Sequence, residues 1–172
     1  IPSRALNELQ RLLASGEEAS LCLAGDRATF TVGQATLSTS LLQIEFPNYR
    51  QLIQPSYPNT LTTAREPLLE AIRRCRILAR ETTPVRLEMT ATSLKLIVVT
   101  QDVGNTVEEL DATMVGSEIT VGFNPEYLAN GIEAVSGDEI TIQTTDPIKP
   151  AVLRGVGAPD YLYLVMPKRL TN

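Results

Sequence analysis

Histidine is absent from this 172-residue chain, and cysteine occurs only twice, at Cys22 and Cys75, with no CxxC pair. The first absence removes histidine general bases and histidine-based triads. Together the two remove zinc sites of the usual Cys/His kind. Cys22 stands among apolar neighbours and Cys75 on the apolar stripe of a helical pattern with Leu68 and Ile72, and each reads as a small, reduced core residue. No apolar run is long enough to span a bilayer and no stretch reads as a secretory signal, so a cytosolic location is expected. A Gly-rich phosphate loop, a Ser or Cys nucleophile motif and a carboxylate pair in an acid/base setting are also missing. Glu17-Glu18, Glu108-Glu109 and Asp138-Glu139 read as solvated acids at strand entrances or on a strand face. Neither an enzyme nor a cofactor is expected.

Net positive charge is lacking too. The formal total of −5 excludes a uniformly basic nucleic-acid binder, but the charge is unevenly spread. Arg65, Arg73, Arg74, Arg76 and Arg80 stand against Glu66 and Glu70, a net of +3 that leaves −8 for the rest of the chain. Arg73, Arg76 and Arg80 follow helical spacing and share one face. Guanidinium groups so placed suit contact with phosphates without reading bases. The competing reading is a solvated face with an intrahelical pair from Glu70 to Arg73 or Arg74. No aromatics interleave with these arginines, so stacking on single strands is not indicated.

Taken in order, the chain predicts a helix capped by Ser3 and running through Leu6, Leu9 and Leu13, with Gly16 just past its end. Strands 20–24, 28–32 and 35–40 follow, joined at Gly25-Asp26 and Gly33-Gln34 as antiparallel hairpins. The Pro/Ser/Tyr/Asn segment 54–59 is the best linker. Beyond it come a strand at 60–64 and a helix with Pro67 in its first turn, running to about Ala79 over Leu68, Ile72 and Cys75. Strands at 85–90, 93–100, 106–115 and 118–123 follow, with Val103-Gly104-Asn105 as a turn. Asn124-Pro125 opens a third helix carrying Tyr127, Leu128, Ile132 and Val135, and strands at 139–145, 151–156 and 161–166 close the chain.

A helix followed by a strand meander thus occurs three times, starting near residues 3, 65 and 124. Such repetition marks a modular architecture. Each helix has one apolar face to cover a sheet, so a pair of units should form one two-layer α+β domain. Two units make a complete domain at 58–172, and the single unit at 1–57 is half of another. That odd count, with a start at Ile1 rather than methionine, reads as a piece of a longer protein, with an exposed sheet edge on the half-domain.

The last stretch, Asp160 to Leu170, is apolar like a strand and breaks at Met166-Pro167, where proline has no N–H for a ladder. A soft methionine then stands at a rim, with Lys168 and Arg169 in a tail beyond most of the ladder. A plain core strand whose Met166 fills a gap is the alternative.

Three segments, Phe46-Pro-Asn-Tyr-Arg50, Gly122-Phe-Asn-Pro-Glu-Tyr127 and Tyr163-Leu-Val-Met-Pro-Lys-Arg-Leu170, occur in the order and spacing of the bacterial DNA sliding clamp, the beta subunit of DNA polymerase III. The chain resembles the second half of that family's middle domain plus its complete last domain. The resemblance implies the DNA-clamp fold and a non-catalytic processivity factor whose full-length subunits join head to tail into a ring around double-stranded DNA. It also implies a hydrophobic groove for the clamp-binding peptides of DNA polymerases, the clamp loader and repair proteins. Pro47, Gln51 and Leu52, then Tyr127, Ile148 and Pro150, then Leu164, Met166, Pro167, Lys168 and Arg169 match groove positions. Gln51 stands where the family often has arginine, and Lys168 where it often has an apolar residue. Arg73, Arg76 and Arg80 would face the DNA, and Ile77 and Leu78 match the subunit interface. The reading from another class is a stand-alone α+β protein-interaction domain with no DNA role.

Overall fold

A computed structural model of the chain describes residues 1–13, 18–79, 83–100 and 103–170. Gly16 and Arg80, to which the sequence assigned roles, lie outside the described residues. The chain divides into two compact units, Ile1–Asn48 and Tyr49–Asn172.

The first unit holds helix α1 (Ser3–Leu12) and an antiparallel meander of β1 (Ala19–Ala24), β2 (Arg27–Val32) and β3 (Ala35–Ser40). Ser3 does not cap α1. Pro2 occupies that position with extended dihedrals, and its carbonyl accepts from the Ala5 and Leu6 N–H groups at 3.0 and 3.3 Å. Ser3 is already helical, so its hydroxyl cannot reach back over the first-turn donors. In β2, Ala28, Phe30 and Val32 are buried on alternate positions, the period of a half-covered strand. All six residues of β1 are exposed, which overturns the core reading of Cys22. The register pairs Leu21 with Phe30 and Leu23 with Ala28, so those leucines share the face on which β2 buries its apolar residues. β1 is an edge strand with only β2 beside it, and its apolar alternation lacks a cover among the described residues.

The second unit opens with a 3-10 turn (Tyr49–Leu52) and continues through β4 (Asn59–Ala64), α2 (Arg65–Leu78), β5 (Val85–Met89), β6 (Ser93–Thr100), β7 (Gly104–Val115), β8 (Ile119–Phe123), α3 (Pro125–Glu133), β9 (Glu139–Thr144), β10 (Ala151–Gly155) and β11 (Ala158–Val165). Its strands form one eight-stranded antiparallel sheet in the order β11-β10-β9-β4-β7-β6-β5-β8. The two later helix-and-meander repeats therefore share a single sheet. Strand spans follow the expectation to within a few residues, except that Gly104 begins β7 rather than making a turn. Asn59 ends up in β4 and buried because its side-chain oxygen accepts from the Ser117 N–H at 2.9 Å, a bond that draws it out of the linker.

One face of the sheet and both helices build the core. Leu61, Leu87, Leu94, Leu96, Val121, Ile140, Ile142 and Leu153 come from the strands, and Leu68, Ile72, Cys75, Leu128 and Ile132 come from the helices. Each Leu or Ile so buried contributes about 1.5–3 kcal/mol of transfer free energy. Asn124 caps α3 by accepting from the Glu126 N–H at 2.9 Å, with Pro125 at the first helical position. Val135 is buried but lies beyond the helix end. The chain leaving edge strand β11 donates from Lys168 N–H to the carbonyl of Gly122 in the other edge strand, β8, at 2.8 Å. Two opposite edges can meet that way only if the sheet curls around its helices, and the twist of antiparallel sheets supplies the curl.

Candidate functional site

Lys168 and Arg169, which follow β11, lie beside the 146–150 loop and line a cleft of about 300 Å3 together with Pro147, Ile148 and Leu170. Ile148 is 69 % exposed and Met166 is 57 % exposed. Met166 is therefore no gap-filler inside a core strand, and the alternative reading of it does not hold.

Local chemistry aims these side chains. In β11, Val165 points into the core, while Leu164 points the other way, opposite Val152 of β10. Met166 continues past the strand end, where Pro167 removes the next ladder donor. Asp146 fixes the loop, because its side-chain oxygen accepts from the Ile148 and Lys149 N–H groups at 2.9 and 2.8 Å. Those bonds, the one from Ile148 foremost, hold its carboxyl below the usual range. An Asx turn of this kind projects the following side chain outward, which leaves Ile148 in water.

The tail is less detached from the sheet than the sequence implied. Besides the Lys168–Gly122 hydrogen bond, Leu170 packs over Gly122, where an added Cβ would stand 2.6 Å from Leu170 Cδ2 and 2.8 Å from the Lys168 carbonyl. Glycine is needed there for close approach. The tail holds the cleft and the sheet's two edges at once.

Tyr127 on α3 is exposed, and its phenol lies close enough to Tyr163 of β11 to add to the upward shift that burial gives the Tyr163 hydroxyl. Gly131 makes room for the Tyr163 ring, since a Cβ there would sit 2.5 Å from Tyr163 Cδ1. Tyr161 donates from its hydroxyl to the Gly131 carbonyl at 3.1 Å. Helix α3 and the strand that ends in Met166 are thus locked together. Pro150 is half-buried, while Gln51 and Leu52 lie exposed on the 3-10 turn. Pro47 is exposed in the first unit.

Arg73, Arg74 and Arg76 of α2 are exposed but not free. Arg73 bonds Glu133 of α3 at 2.8 Å and Glu70 at 3.4 Å, and Arg76 lies 3.7 Å from Glu126 of α3. Arg74 takes both oxygens of Glu108 at 2.8 Å each and also lies 3.9 Å from Glu70. The intrahelical pair is present, together with cross-helix pairs that the sequence reading did not include. Ile77 is 83 % exposed at the end of α2, and Leu78 is half-buried. Residues 104–111 of β7 pair with β6 and residues 112–115 pair with β4, so the first part of β7 keeps an unpaired edge among the described residues.

Sequence reasoning assigned no role to Pro147, Leu170, Asp146 or Gly122. Asp146-Pro147 carries a recognisable turn signal, and Leu170 lies within the tail motif. Gly122 opens the second of the three signature segments, but its close approach to the tail is not legible there, because its partners are 46 or more residues away.

The family described as DNA polymerase III beta subunit, C-terminal domain, matches residues 50–169. The chain is 34 % identical to the beta sliding clamp of Synechococcus elongatus over 178 residues, covering 100 % of this chain and 48 % of that protein. It is 31 % identical to the beta sliding clamp of Streptomyces coelicolor, covering 100 % of this chain and 49 % of that one. The chain spans about half the length of the curated relatives it matches. Among solved structures, it is similar to the Bartonella birtlesii sliding clamp bound to griselimycin, with a TM-score of 0.86, 28 % identity, and coverage of 99 % of this chain and 46 % of that one. It is also similar to the Pseudomonas aeruginosa DNA polymerase sliding clamp with ligand, with a TM-score of 0.84, 26 % identity and coverage of 99 % and 47 %.

Proposed function

The chain belongs to the DNA polymerase III beta-subunit family, and from that membership we propose that it is part of a sliding clamp, a non-catalytic processivity factor that encircles duplex DNA and docks peptides of its partner proteins. The α+β clamp fold is shared with solved members at TM-scores above 0.8. Membership does not favour a stand-alone interaction domain without a DNA role.

The observation that carries the peptide-docking part is the cleft beside Ile148. Pro147, Ile148 and Leu170 give the cleft its apolar lining, Lys168 and Arg169 are its polar members, and exposed Met166 with half-buried Leu164 and Pro167 leads into it along the chain. An adaptable methionine on such a surface suits many partners. The occupant is a short extended peptide of polymerases, clamp loader or repair proteins, carrying a glutamine and two bulky apolar residues. Gln51 and Leu52 would take its other end. Lys168 and Arg169 at the rim favour peptides with acidic flanks.

Arg73, Arg76 and Arg80 would face the DNA, and their contact is with phosphates, not bases. Exposed Ile77, half-buried Leu78 and the unpaired edge of β7 fit a head-to-tail contact with a second full-length subunit, because strand edges and exposed aliphatic side chains are what an interface covers. This role places the protein on the chromosome in the cytoplasm.

Titration of a labelled clamp-binding peptide tests the groove. Met166→Ala removes methylene-sized contacts of about 0.8 kcal/mol each when buried, so a loss on the order of 1–2 kcal/mol is expected, a roughly five- to thirtyfold weaker complex. Circular dichroism checks that the variant stays folded. Affinities within a factor of two for both Met166→Ala and Leu164→Ala would put the peptide site elsewhere.

A further inference from the structure

The helix pair α2 and α3 carries its own counter-charge to the arginines assigned to DNA. Glu133 reaches Arg73 and Glu126 reaches Arg76. As the α2 number rises the α3 number falls, so the helices run antiparallel and the two pairs form successive rungs across their seam. Glu126 and Glu133 are spaced at i, i+7 and share one stripe of α3. With Glu70 also on Arg73, two arginines face three carboxylates, and this stretch is not net cationic. All of these side chains are about half exposed. Exposed pairs of this kind add little to stability, so stability does not explain why both rungs are present.

Their electrostatic effect is larger than their structural one. A DNA phosphate needs the same planar N–H donors of Arg73 that Glu133 and Glu70 already occupy, and at Arg76 it meets the charge of Glu126 only 3.7 Å away. It must displace the carboxylate or share the guanidinium with it, against repulsion at close range. We propose that Glu133 and Glu126 are positioning residues that hold Arg73 and Arg76 and keep this helix pair's grip on the DNA backbone weak. A protein retained on DNA by encirclement needs no grip, and each phosphate held tightly would slow its sliding. This inference rests on the proposed sliding-clamp reading and names residues on α3 that tune its DNA contact.

The test measures binding of the 172-residue chain to a short labelled duplex by fluorescence anisotropy across a salt titration. Four proteins are compared: wild type, Glu126→Gln/Glu133→Gln, Arg73→Gln/Arg76→Gln, and Glu88→Gln/Glu109→Gln. The last removes the same charge from the opposite sheet face, where Lys95 lies between the two acids. The helix glutamate variant should bind about three- to tenfold more tightly at low salt, with a salt slope steeper by roughly one to two. The arginine variant should bind more weakly with a shallower slope, and the sheet-face variant should change much less. If the arginine variant weakens binding while the helix glutamate variant does not tighten it, the carboxylate role is overturned and the DNA-facing reading stands. An equal gain from the sheet-face variant would overturn it as well, because total charge would then account for the effect. If neither helix variant changes binding or slope, the DNA-facing reading fails along with it.

Discussion

The two cysteines show how far one residue type can diverge once neighbours are fixed. Cys22 lies on a strand exposed on every residue, whereas Cys75 is fully buried on α2. Burial, and then the negative charge of Glu108, push the Cys75 thiol up to about 11 from its ordinary 9.0. One thiol should react with a maleimide or disulfide reagent at neutral pH in the native chain, and two in denaturant. The shift also sets a pH dependence. The fold favours the neutral thiol, so stability is whole below the unfolded value of 9.0 and falls as pH rises towards about 11. The loss is about 2 kcal/mol. Urea unfolding across that window should show a flatter profile for Cys75→Ala than for wild type. Tyr161 and Tyr163, also raised by burial, add to the alkaline loss. A profile unchanged by Cys75→Ala would mean that this thiol ionises freely in the fold.

Helix α3 illustrates a conflict between element propensity and tertiary packing. Gly131 in its interior costs roughly 1 kcal/mol relative to alanine by propensity alone. Against that, a Cβ at this position would stand 2.5 Å from the Tyr163 ring, and the Tyr161 hydroxyl is bonded to the Gly131 carbonyl. Overpacking a fitted site costs about 1–3 kcal/mol, which outweighs the propensity gain. Gly131→Ala should therefore lower the unfolding midpoint, although an exposed glycine in the same helix would give the reverse. Combining it with Tyr163→Ala relieves the overlap, so the double variant should be more stable than the two separate changes would give together. A stabilised Gly131→Ala single variant would show that the Tyr163 ring moves aside at no cost. The same lock ties α3 to the strand that leads into Met166, so the single variant should also weaken peptide docking.

At the scale of the whole molecule, the informative surfaces are those without a cover. β1 presents exposed Leu21 and Leu23 on the face where β2 is buried, and one of its edges is unpaired among the described residues. Unpaired edges with apolar faces invite pairing with another chain. The 172-residue chain should self-associate with rising concentration in light scattering. Leu21→Lys/Leu23→Lys should reduce that association, since charge on an edge strand disfavours it, and should leave peptide affinity unaltered. Association unaffected by those changes would point to a surface other than β1, such as Ile77 with the edge of β7. On the proposed clamp reading, the 172-residue chain alone should wash off circular DNA at high salt.

The sequence by itself determined the elements. Apolar period and turn chemistry placed the three helices and nearly every strand, because hydrophobic alternation and Asn-Pro or Gly turn signals act within a few residues. It also pointed to Leu164, Met166, Pro167, Lys168 and Arg169 as a group, because they are contiguous. Tertiary structure decided what depends on distant partners. It left Cys22 in water, since burial requires a neighbouring element and alternation alone supplies none. Asn59 was drawn into β4 by Ser117. It made the tail part of the sheet through Gly122, and it paired Arg73 and Arg76 with carboxylates 50 or more residues away. Local free energies are written along the chain, whereas close approach and charge pairing arise only where the fold brings separate stretches together.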